Sequence, residues 1–432
     1  MAVGICSILV RSTQMRMPML SRRAFFQSAA VSPLLAAGTT FATGTAAPAP
    51  KSLTGGAKPI SAQERHARIE KAQALMAQRK VAALLVESGS SLEYFTGIQW
   101  RRSERTTLAV IPASGEVLVV TPAFEEPSVR ETLQVGGDVR PWDEHENPFE
   151  KVVQGLKDRG INSGVLAAES TIRFFIVAGI RQASDAYEII PADPIVRACR
   201  LIKSAAELAL LQLANDVTIE ALRQVHSQVA VGMSGPEIGA LMEHATIGLG
   251  GSPDFSLVLL NEASAYPHGS VKPQKVREGS VILMDCGCAV HGYVSDISRT
   301  WVVGRPSARQ RKVWNTVKRG QELALETAKI DLPVGAIDDA VRKYYESEGW
   351  GPGYRLPGLS HRTGHGIGLD GHEPPYLVHG DTTPLQSGMC FSDEPGIYIP
   401  GEFGIRMEDC WYMTLSGPKL FTPLAKSLEQ PI

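Results

Sequence analysis

The sequence lacks several features that would point to particular protein classes. It has no basic excess, because 43 Lys and Arg residues face 45 Asp and Glu residues, so composition predicts no nucleic-acid partner. It has no apolar run of about 18 residues, and we therefore predict no membrane-spanning helix in the mature chain. Its six cysteines have neither disulfide-framework nor zinc-site spacing, and we expect them to be small core residues.

Length and composition are those of a globular protein with more than one domain. The chain has 432 residues, of which 44% are hydrophobic and 20% charged. One core rarely extends over so many residues, so we expect two domains. The patterns predict a linker over residues 47–60, a smaller α/β domain over 61–195 and a second domain over 200–432.

The first 63 residues contain no Asp or Glu. Arg22 and Arg23 precede a mild apolar stretch of small residues at 28–42, which is the pattern of a bacterial twin-arginine signal. We predict that residues 1–46 are removed, that the precursor uses the twin-arginine export machinery, and that the mature protein is periplasmic or secreted. The alternative is an unstructured N-terminus with a chance arginine pair.

The first domain alternates helices and strands. Ser61 followed by Glu64 predicts a capped helix start, and apolar patterns at 108–111 and 117–120 flank a turn and predict a hairpin. Asp193-Pro194 marks the predicted boundary with the second domain.

Acidic residues interrupt apolar strand patterns in the second domain. One strand ends in Asp285 and the next carries Asp296, so a hairpin would bring the two side by side. Glu394 and Glu408 face each other across a second predicted strand pair, and Arg406 shares the face of Glu408. A charge within an apolar strand is costly without a partner, although a single acid on an edge strand is common.

Histidines concentrate between the two strand pairs. His361, His365 and His372 lie in a glycine-rich segment, where the backbone can pass close to a site. The segment is neither an HExxH zinc motif nor a GxGxxG phosphate loop. Four carboxylates and one imidazole suit two divalent cations with a bridging hydroxide. Such a set favours Mn²⁺, with Co²⁺, Fe²⁺ or Zn²⁺ as alternatives, and supports hydrolysis.

Five motifs follow in order: PHG at 267–269, DCGCAVHGYVSDISRTW at 285–301, HRTGHGIGLDGHEPP at 361–375, DEPGIYIP at 393–400 and GIRMED at 404–409. Together they closely resemble the pita-bread metallopeptidases, the family of methionine aminopeptidase, aminopeptidase P and prolidase. The preceding domain resembles, more weakly, the creatinase-type N-terminal domain. The resemblance implies an α+β protein, with a pita-bread catalytic domain preceded by a smaller α/β domain.

The resemblance implies a role for each ligand. Asp285 would bind one metal ion, Asp296 and Glu408 would bridge both, and His365 and Glu394 would bind the other. Glu394 would also be the base for the bridging water.

It implies further roles around the metal ions. His268 and His372 would contact the scissile carbonyl or move protons. His361 would support the site or line the substrate pocket, and Arg406 would orient the carboxylates.

The substrate prediction follows from two features of the chain, its complete set of metal ligands and its N-terminal domain. Filled ligand positions argue against creatinase, and the N-terminal domain argues against methionine aminopeptidase. We expect removal of the N-terminal residue before proline from short peptides, an Xaa-Pro aminopeptidase-like activity. Prolidases commonly carry an arginine shortly after the histidine segment, to hold a free carboxylate. Here none follows until Arg406, although His379 is a candidate substitute.

Three alternatives remain at this stage: an Xaa-Pro dipeptidase (prolidase), a lyase or small-amide hydrolase on the same scaffold, and a non-catalytic binding module. Because family members are often dimers or tetramers, a homodimer or homotetramer is the expectation.

Overall fold

The computed structural model of the protein describes residues 51–432, so the predicted signal, 1–46, and the start of the linker lie outside the described residues. The first half contains one six-stranded sheet. Its strands are β1 (Val81–Glu87), β2 (Leu108–Pro112), β3 (Leu118–Pro122), β4 (Asp138–Trp142), β5 (Gly164–Ala168) and β6 (Tyr187–Pro191). Their order is β4-β3-β2-β1-β5-β6, and the predicted hairpin is confirmed as the antiparallel pair β2–β3.

Six helices accompany this sheet, and separate apolar cores lie on its two faces. The helices are α1 (Ala62–Arg79), α2 (Ser90–Thr96), α3 (Glu126–Thr132), α4 (Pro148–Asp158), α5 (Phe174–Ala183) and α6 (Asp193–Arg200). The predicted cap is confirmed, because the Ser61 hydroxyl accepts a hydrogen bond from the Glu64 amide at 3.2 Å. Helix α6 crosses the predicted domain boundary, and its apolar side packs into the core of the first half.

The second half is built from eleven strands and four helices. The strands are β7 (Ser252–Leu260), β8 (Val281–Val290), β9 (Tyr293–Val294), β10 (Ile297–Val302), β11 (Gly364–Gly366), β12 (Glu373–Leu377), β13 (Cys390–Asp393), β14 (Gly396–Ile399), β15 (Phe403–Arg406), β16 (Asp409–Thr414) and β17 (Gly417–Leu420). The helices are α7 (Ala205–His226), α8 (Gly235–Gly248), α9 (Ala308–Thr327) and α10 (Gly335–Ser347). Thus the α+β prediction is confirmed.

Strands of the second half form three sheets, which share cores with two pairs of helices. One sheet has the order β10-β8-β7, another has the order β12-β11-β13-β16-β17, and β14 pairs with β15 alone. Helices α7 and α8 share a core with β8 and β10, whereas α9 and α10 share a core with β13 to β16. The strands that carry the predicted site residues therefore lie between two helical layers.

Buried polar contacts join the two halves. The Arg68 guanidinium on α1 donates to the Tyr293 hydroxyl at 3.1 Å, and that hydroxyl donates to Glu207 on α7 at 2.9 Å. Because these residues are far apart in sequence, the network fixes the first half against the sheet that carries part of the site.

The described cysteines are confirmed as core residues, since all five are buried and unpaired: Cys199, Cys286, Cys288, Cys390 and Cys410. Among residues 51–432, no helix is both long and apolar enough to cross a membrane.

Candidate metal centre

Three predicted ligand carboxylates lie where strands are interrupted. Glu394 separates β13 from β14, Glu408 separates β15 from β16, and Asp296 separates β9 from β10. Pro395 contributes to the first break, because proline has no N–H to continue the ladder. The sequence predicted one continuous strand pair that carries both glutamates. The continuity was wrong, because the hairpin is divided between two sheets. At these breaks, the carboxylates turn toward one common point.

His365, on β11, points at the same carboxylates. Its Nδ1 lies 3.1 Å from the Gly366 carbonyl oxygen, which leaves Nε2 as the atom that faces the acids. Nε2 lies 3.3 Å from Glu394 Oε1, 3.6 Å from Asp296 Oδ2 and 3.9 Å from Glu408 Oε1. The backbone carbonyl thus selects the nitrogen that is available to a metal ion.

The five predicted ligands form two overlapping groups. One oxygen each from Asp285, Asp296 and Glu408 lie within 4.8 Å of one another, and the same holds for ligand atoms of His365, Glu394 and Glu408. Glu408 belongs to both groups. This arrangement is consistent with the ligand assignment that the resemblance implies, in which Glu408 bridges two metal ions; the individual roles stay predictions.

Burial and mutual repulsion disfavour the charged forms of three of the carboxylates in the absence of metal ions. Burial, with repulsion from neighbouring carboxylates, raises the pKa of Asp296 and of Glu408 well above their ordinary values. Burial raises the pKa of Glu394 to about 7, against the opposing charge of Arg406. Burial also lowers the pKa of His365, which keeps its imidazole neutral. Divalent cations would favour the ionised carboxylates and use the neutral imidazole.

Unpartnered atoms show that these residues fit metal ions. Within the described part of the chain, Asp296 Oδ1, Glu408 Oε1 and His365 Nε2 are buried without any hydrogen-bond partner. Such atoms are unfavourable in a protein interior unless something binds them. Oxygen atoms with one imidazole nitrogen are a suitable donor set for two divalent cations.

A buried serine and arginine hold the carboxylates in position. The Ser298 hydroxyl lies 2.8 Å from Asp285 Oδ1 and 2.9 Å from Glu408 Oε2, and it accepts a hydrogen bond from Arg406 Nε at 2.9 Å. Arg406 Nη2 also donates to Asp285 Oδ2. Arg406 thus lies beside the carboxylates, and its predicted role of orienting them stays a prediction. Sequence reasoning missed Ser298, whose only signal is its position two residues after Asp296.

His361 is fixed by hydrogen bonds behind the carboxylates. Its Nδ1 lies 2.8 Å from the Arg362 carbonyl oxygen and its Nε2 lies 2.7 Å from the Tyr398 hydroxyl. Burial, helped by the charge of Arg406, lowers the pKa of His361 to about 3, so the ring is neutral. It therefore donates from Nδ1 and accepts the Tyr398 proton at Nε2. Tyr398 is a second residue that the sequence reasoning missed.

His372 and His268 are exposed residues that line the solvent-accessible side of the cavity. The rings of His372 and His365 have centroids 4.0 Å apart, and His372 forms a further candidate ligand group with His365 and Asp296. His268 follows Pro267, whose carbonyl oxygen accepts a hydrogen bond from Arg406 Nη1 at 3.2 Å. Both histidines can therefore reach a substrate held at the carboxylates.

All the residues predicted to form the site line one cavity of about 480 Å³. The described residues that complete its lining are Pro267, Arg362 and Val378. Arg362 was not predicted, because nothing local in the sequence says that it points inward. His379, the candidate substitute for a carboxylate-binding arginine, lies elsewhere: it is exposed and its Nδ1 is 2.7 Å from Asp339.

Metal removal is expected to make stability depend on pH. Because the folded pKa of Glu394, about 7, exceeds its ordinary value of 4.5, the metal-free folded state holds a proton that the unfolded chain releases between these values. The free energy of unfolding should therefore fall by about 3 kcal/mol as pH rises from about 4.5 to 7.

Thermal unfolding with a chelator, and then with added Mn²⁺, tests this expectation. Added Mn²⁺ should raise the melting temperature more at about pH 7.5 than at about pH 5, because protons compete with the metal ions for the carboxylates. Equal increases at the two pH values would contradict it.

Comparison with known proteins identifies the family of the chain. Residues 209–415 match Metallopeptidase family M24, and residues 68–202 match the Creatinase/Prolidase N-terminal domain. An uncharacterized peptidase of Schizosaccharomyces pombe is 32% identical, over 86% of this chain and 84% of its own. The Xaa-Pro dipeptidase of Pyrococcus furiosus is 30% identical, over 65% of this chain and 78% of its own.

Solved structures show the same two-part architecture. Dipeptidase PepE from Mycobacterium ulcerans matches with a TM-score of 0.78 and 29% identity, over 85% of this chain and 97% of its own. The X-Pro aminopeptidase from Thermotoga maritima matches with a TM-score of 0.74 and 26% identity, over 83% of this chain and 98% of its own.

The fold and the carboxylate-histidine cluster define a metal-dependent peptidase. In particular, the chain belongs to Metallopeptidase family M24, with a Creatinase/Prolidase N-terminal domain before it. The predicted family and the pita-bread fold are confirmed. The homodimer or homotetramer stays a prediction.

Proposed function

We propose that the protein is an Xaa-Pro dipeptidase, which cleaves the bond before a C-terminal proline. The observation that carries the hydrolytic part of the proposal is the cavity that is lined by the five predicted metal ligands together with His268 and His372. The names of relatives support the dipeptide length, since those from Pyrococcus furiosus, Pyrococcus horikoshii and Lactobacillus delbrueckii are Xaa-Pro dipeptidases.

The sequence-based preference for an aminopeptidase rested on the lack of an arginine after His372. That reason loses its force, because Arg362 enters the cavity from the start of the histidine segment. Because one similar solved structure is an X-Pro aminopeptidase, a longer Xaa-Pro peptide is the second candidate substrate.

Proline substrates suit this chemistry. The bond before proline is a tertiary amide without an N–H, so recognition cannot rely on that donor. Two divalent cations bound by the five ligands would activate a water molecule and polarise the scissile carbonyl, neither of which needs the missing hydrogen.

Residues of the chain supply proton transfer and orientation. Glu394, whose carboxylate lines the cavity, can take a proton from the attacking water and deliver it to the leaving proline nitrogen. His268 and His372 can donate hydrogen bonds to the carbonyl oxygen from the solvent-accessible side of the cavity. His361, held by the Tyr398 hydroxyl, lines the cavity in a fixed position.

Hydrolysis of matched peptides tests the proposal. Mn²⁺-loaded protein of residues 47–432 would be given an Xaa-Pro dipeptide and an Xaa-Pro-Xaa tripeptide, with Asp296→Asn as the inactive control. We expect faster cleavage of the dipeptide. Preference for the tripeptide would indicate the aminopeptidase. Cleavage of neither, with metal ions bound, would overturn the proposal and favour a lyase or small-amide hydrolase.

Mn²⁺ is the proposed native metal, because a set of four carboxylates and one imidazole is rich in hard oxygen donors. Elemental analysis of protein purified without added metal tests this choice. Predominance of Mn²⁺ is expected, and stoichiometric Zn²⁺ with full activity would contradict it.

Export through the twin-arginine pathway is proposed from the sequence alone. Replacing Arg22 and Arg23 by lysine should retain the precursor in the cytoplasm, whereas Arg16→Lys should leave export unchanged. Cell fractionation measures both, and unchanged export of the double variant would contradict the signal.

A further inference from the structure

The loop that carries His372 connects β11 to β12 and is rich in glycine. It covers residues 367–372 and includes Gly368 and Gly371. Because glycine permits many backbone conformations, such a loop depends on contacts with its surroundings for a fixed position. His372 lines the metal-ligand cavity and also a second cavity of about 200 Å³ between the two halves of the protein. The ring therefore has room to turn away from the metal ligands unless the loop is anchored.

One guanidinium of the first half binds the loop on both sides of His372. Arg200, the last residue of α6, donates from Nη2 to Asp370 Oδ2 at 2.8 Å and to Glu373 Oε2 at 2.5 Å. Its Nη1 donates to the Ser91 hydroxyl on α2 at 3.1 Å. Only 11% of the Arg200 side chain and 7% of the Glu373 side chain are exposed, so solvent screens this ion pair weakly. The loop is thus bound to two helices of the first half.

Further contacts anchor the same two carboxylates. The buried Lys203 ammonium donates to the other oxygen of Glu373, and the Ser90 hydroxyl donates to the other oxygen of Asp370. Gly368 leaves room for the lysine pair, because a Cβ there would lie 2.7 Å from Glu373 Oε1 and 3.1 Å from Lys203 Cε. Every oxygen of the two carboxylates therefore has a donor, and the backbone is fixed on both sides of the imidazole.

We propose that Arg200 is a positioning residue, which holds the His372 imidazole toward the metal ligands by binding the carboxylates on either side of it. This proposal rests on the proposed function, in which His372 donates to the scissile carbonyl. The His372 ring centroid lies 4.0 Å from that of His365, a predicted metal ligand. A displacement of about 1 Å at such a position can lower a rate by about 100-fold. The first half thus takes part in building the active site.

Arg200→Lys is the first variant of the test, because it keeps a positive charge in the buried network and should leave the protein folded. An ammonium cannot hold two carboxylates in the fixed geometry of a guanidinium. For the better of the two peptide substrates, we expect kcat to fall by about 10- to 30-fold, with KM changed by less than about threefold and metal content unchanged. An unchanged kcat would overturn the proposal.

Arg197→Met is the matched control. Arg197 lies one turn earlier on α6, where 56% of its side chain is exposed and it pairs with Asp193 at 2.6 Å. Exposed ion pairs of this kind contribute little, so kcat should be unchanged. A loss equal to that of Arg200→Lys would indicate general damage to α6 and would overturn the proposal.

A double-variant cycle distinguishes positioning from a general structural role. In the His372→Ala background, the imidazole that Arg200 positions is absent, so Arg200→Lys should lower kcat by less than about twofold. If Arg200 only stabilised the fold, its replacement would have the same effect with and without the imidazole. Equal losses in the two backgrounds would therefore overturn the proposal.

A structural measurement separates this proposal from the proposed reaction. In crystals of the Mn²⁺-loaded protein, the His372 ring should face the metal ligands in wild type and should turn toward the second cavity, or adopt two orientations, in Arg200→Lys. If wild type cleaves no Xaa-Pro peptide but the ring moves in this way, the proposed reaction fails and the positioning role stands. An identical ring position in the two proteins would overturn the positioning role.

Discussion

Glu408→Gln is expected to abolish stable binding of both metal ions and to lower kcat/KM by at least about 10³-fold, a loss of about 4 kcal/mol in transition-state stabilisation. Glu408 is the residue that belongs to both ligand groups, and it is buried beside Asp296 and His365. The amide removes a negative charge and one of two oxygen ligands. Metal content and peptide hydrolysis, measured on the same preparation, test the expectation.

A matched control lies in the same hairpin. Glu402 is exposed at the turn, where it pairs with Arg309, and Glu402→Gln should leave metal content and activity unchanged. Normal metal content with normal activity in Glu408→Gln would contradict its bridging position. Equal effects in both variants would indicate damage to the hairpin.

Arg406→Met is expected to destabilise the metal-free protein by about 3 to 5 kcal/mol, the typical effect of leaving a buried charge without its partner. Arg406 is 3% exposed, and it donates to Asp285, Ser298 and Tyr398. Its removal leaves the Asp285 carboxylate among other acids without a cation. Chemical denaturation in the presence of a chelator measures the change.

Arg309→Met is the comparison for this prediction, because Arg309 forms an exposed ion pair with Glu402 and such pairs contribute little. Added Mn²⁺ should restore part of the stability of Arg406→Met, since cations would neutralise the same carboxylates. A loss smaller than about 1 kcal/mol in the metal-free protein would show that Arg406 does not balance the acidic cluster.

The site was accessible to sequence reasoning because its signals are local. Asp285 and Asp296 are close in the chain, and Glu394 and Glu408 flank a short turn. His365 lies in a glycine-rich motif of its own. Such patterns are visible in the sequence because each ligand side chain must occupy a particular position within a strand or at its end.

Other parts of the site required the folded structure. Arg362 follows His361 directly, yet its direction depends on stacking against Tyr376, a contact between neighbouring strands. Tyr398 meets His361 only because β14 lies behind the histidine segment. These contacts leave no periodic or compositional signal.

Some helices and strands could also be predicted from the sequence, whereas others could not. The start of helix α1 was predicted from its serine cap. Helices α2 and α5 have no side-chain cap and were not predicted. The short strands β11 and β12 were also missed, because their pairing depends on residues brought together by the fold.

Anomalous diffraction from crystals containing Mn²⁺ would locate the metal ions. We expect two peaks, one among Asp285, Asp296 and Glu408 and the other among His365, Glu394 and Glu408. Mn²⁺ bound outside these residues, or one ion with no room for a second, would contradict this expectation.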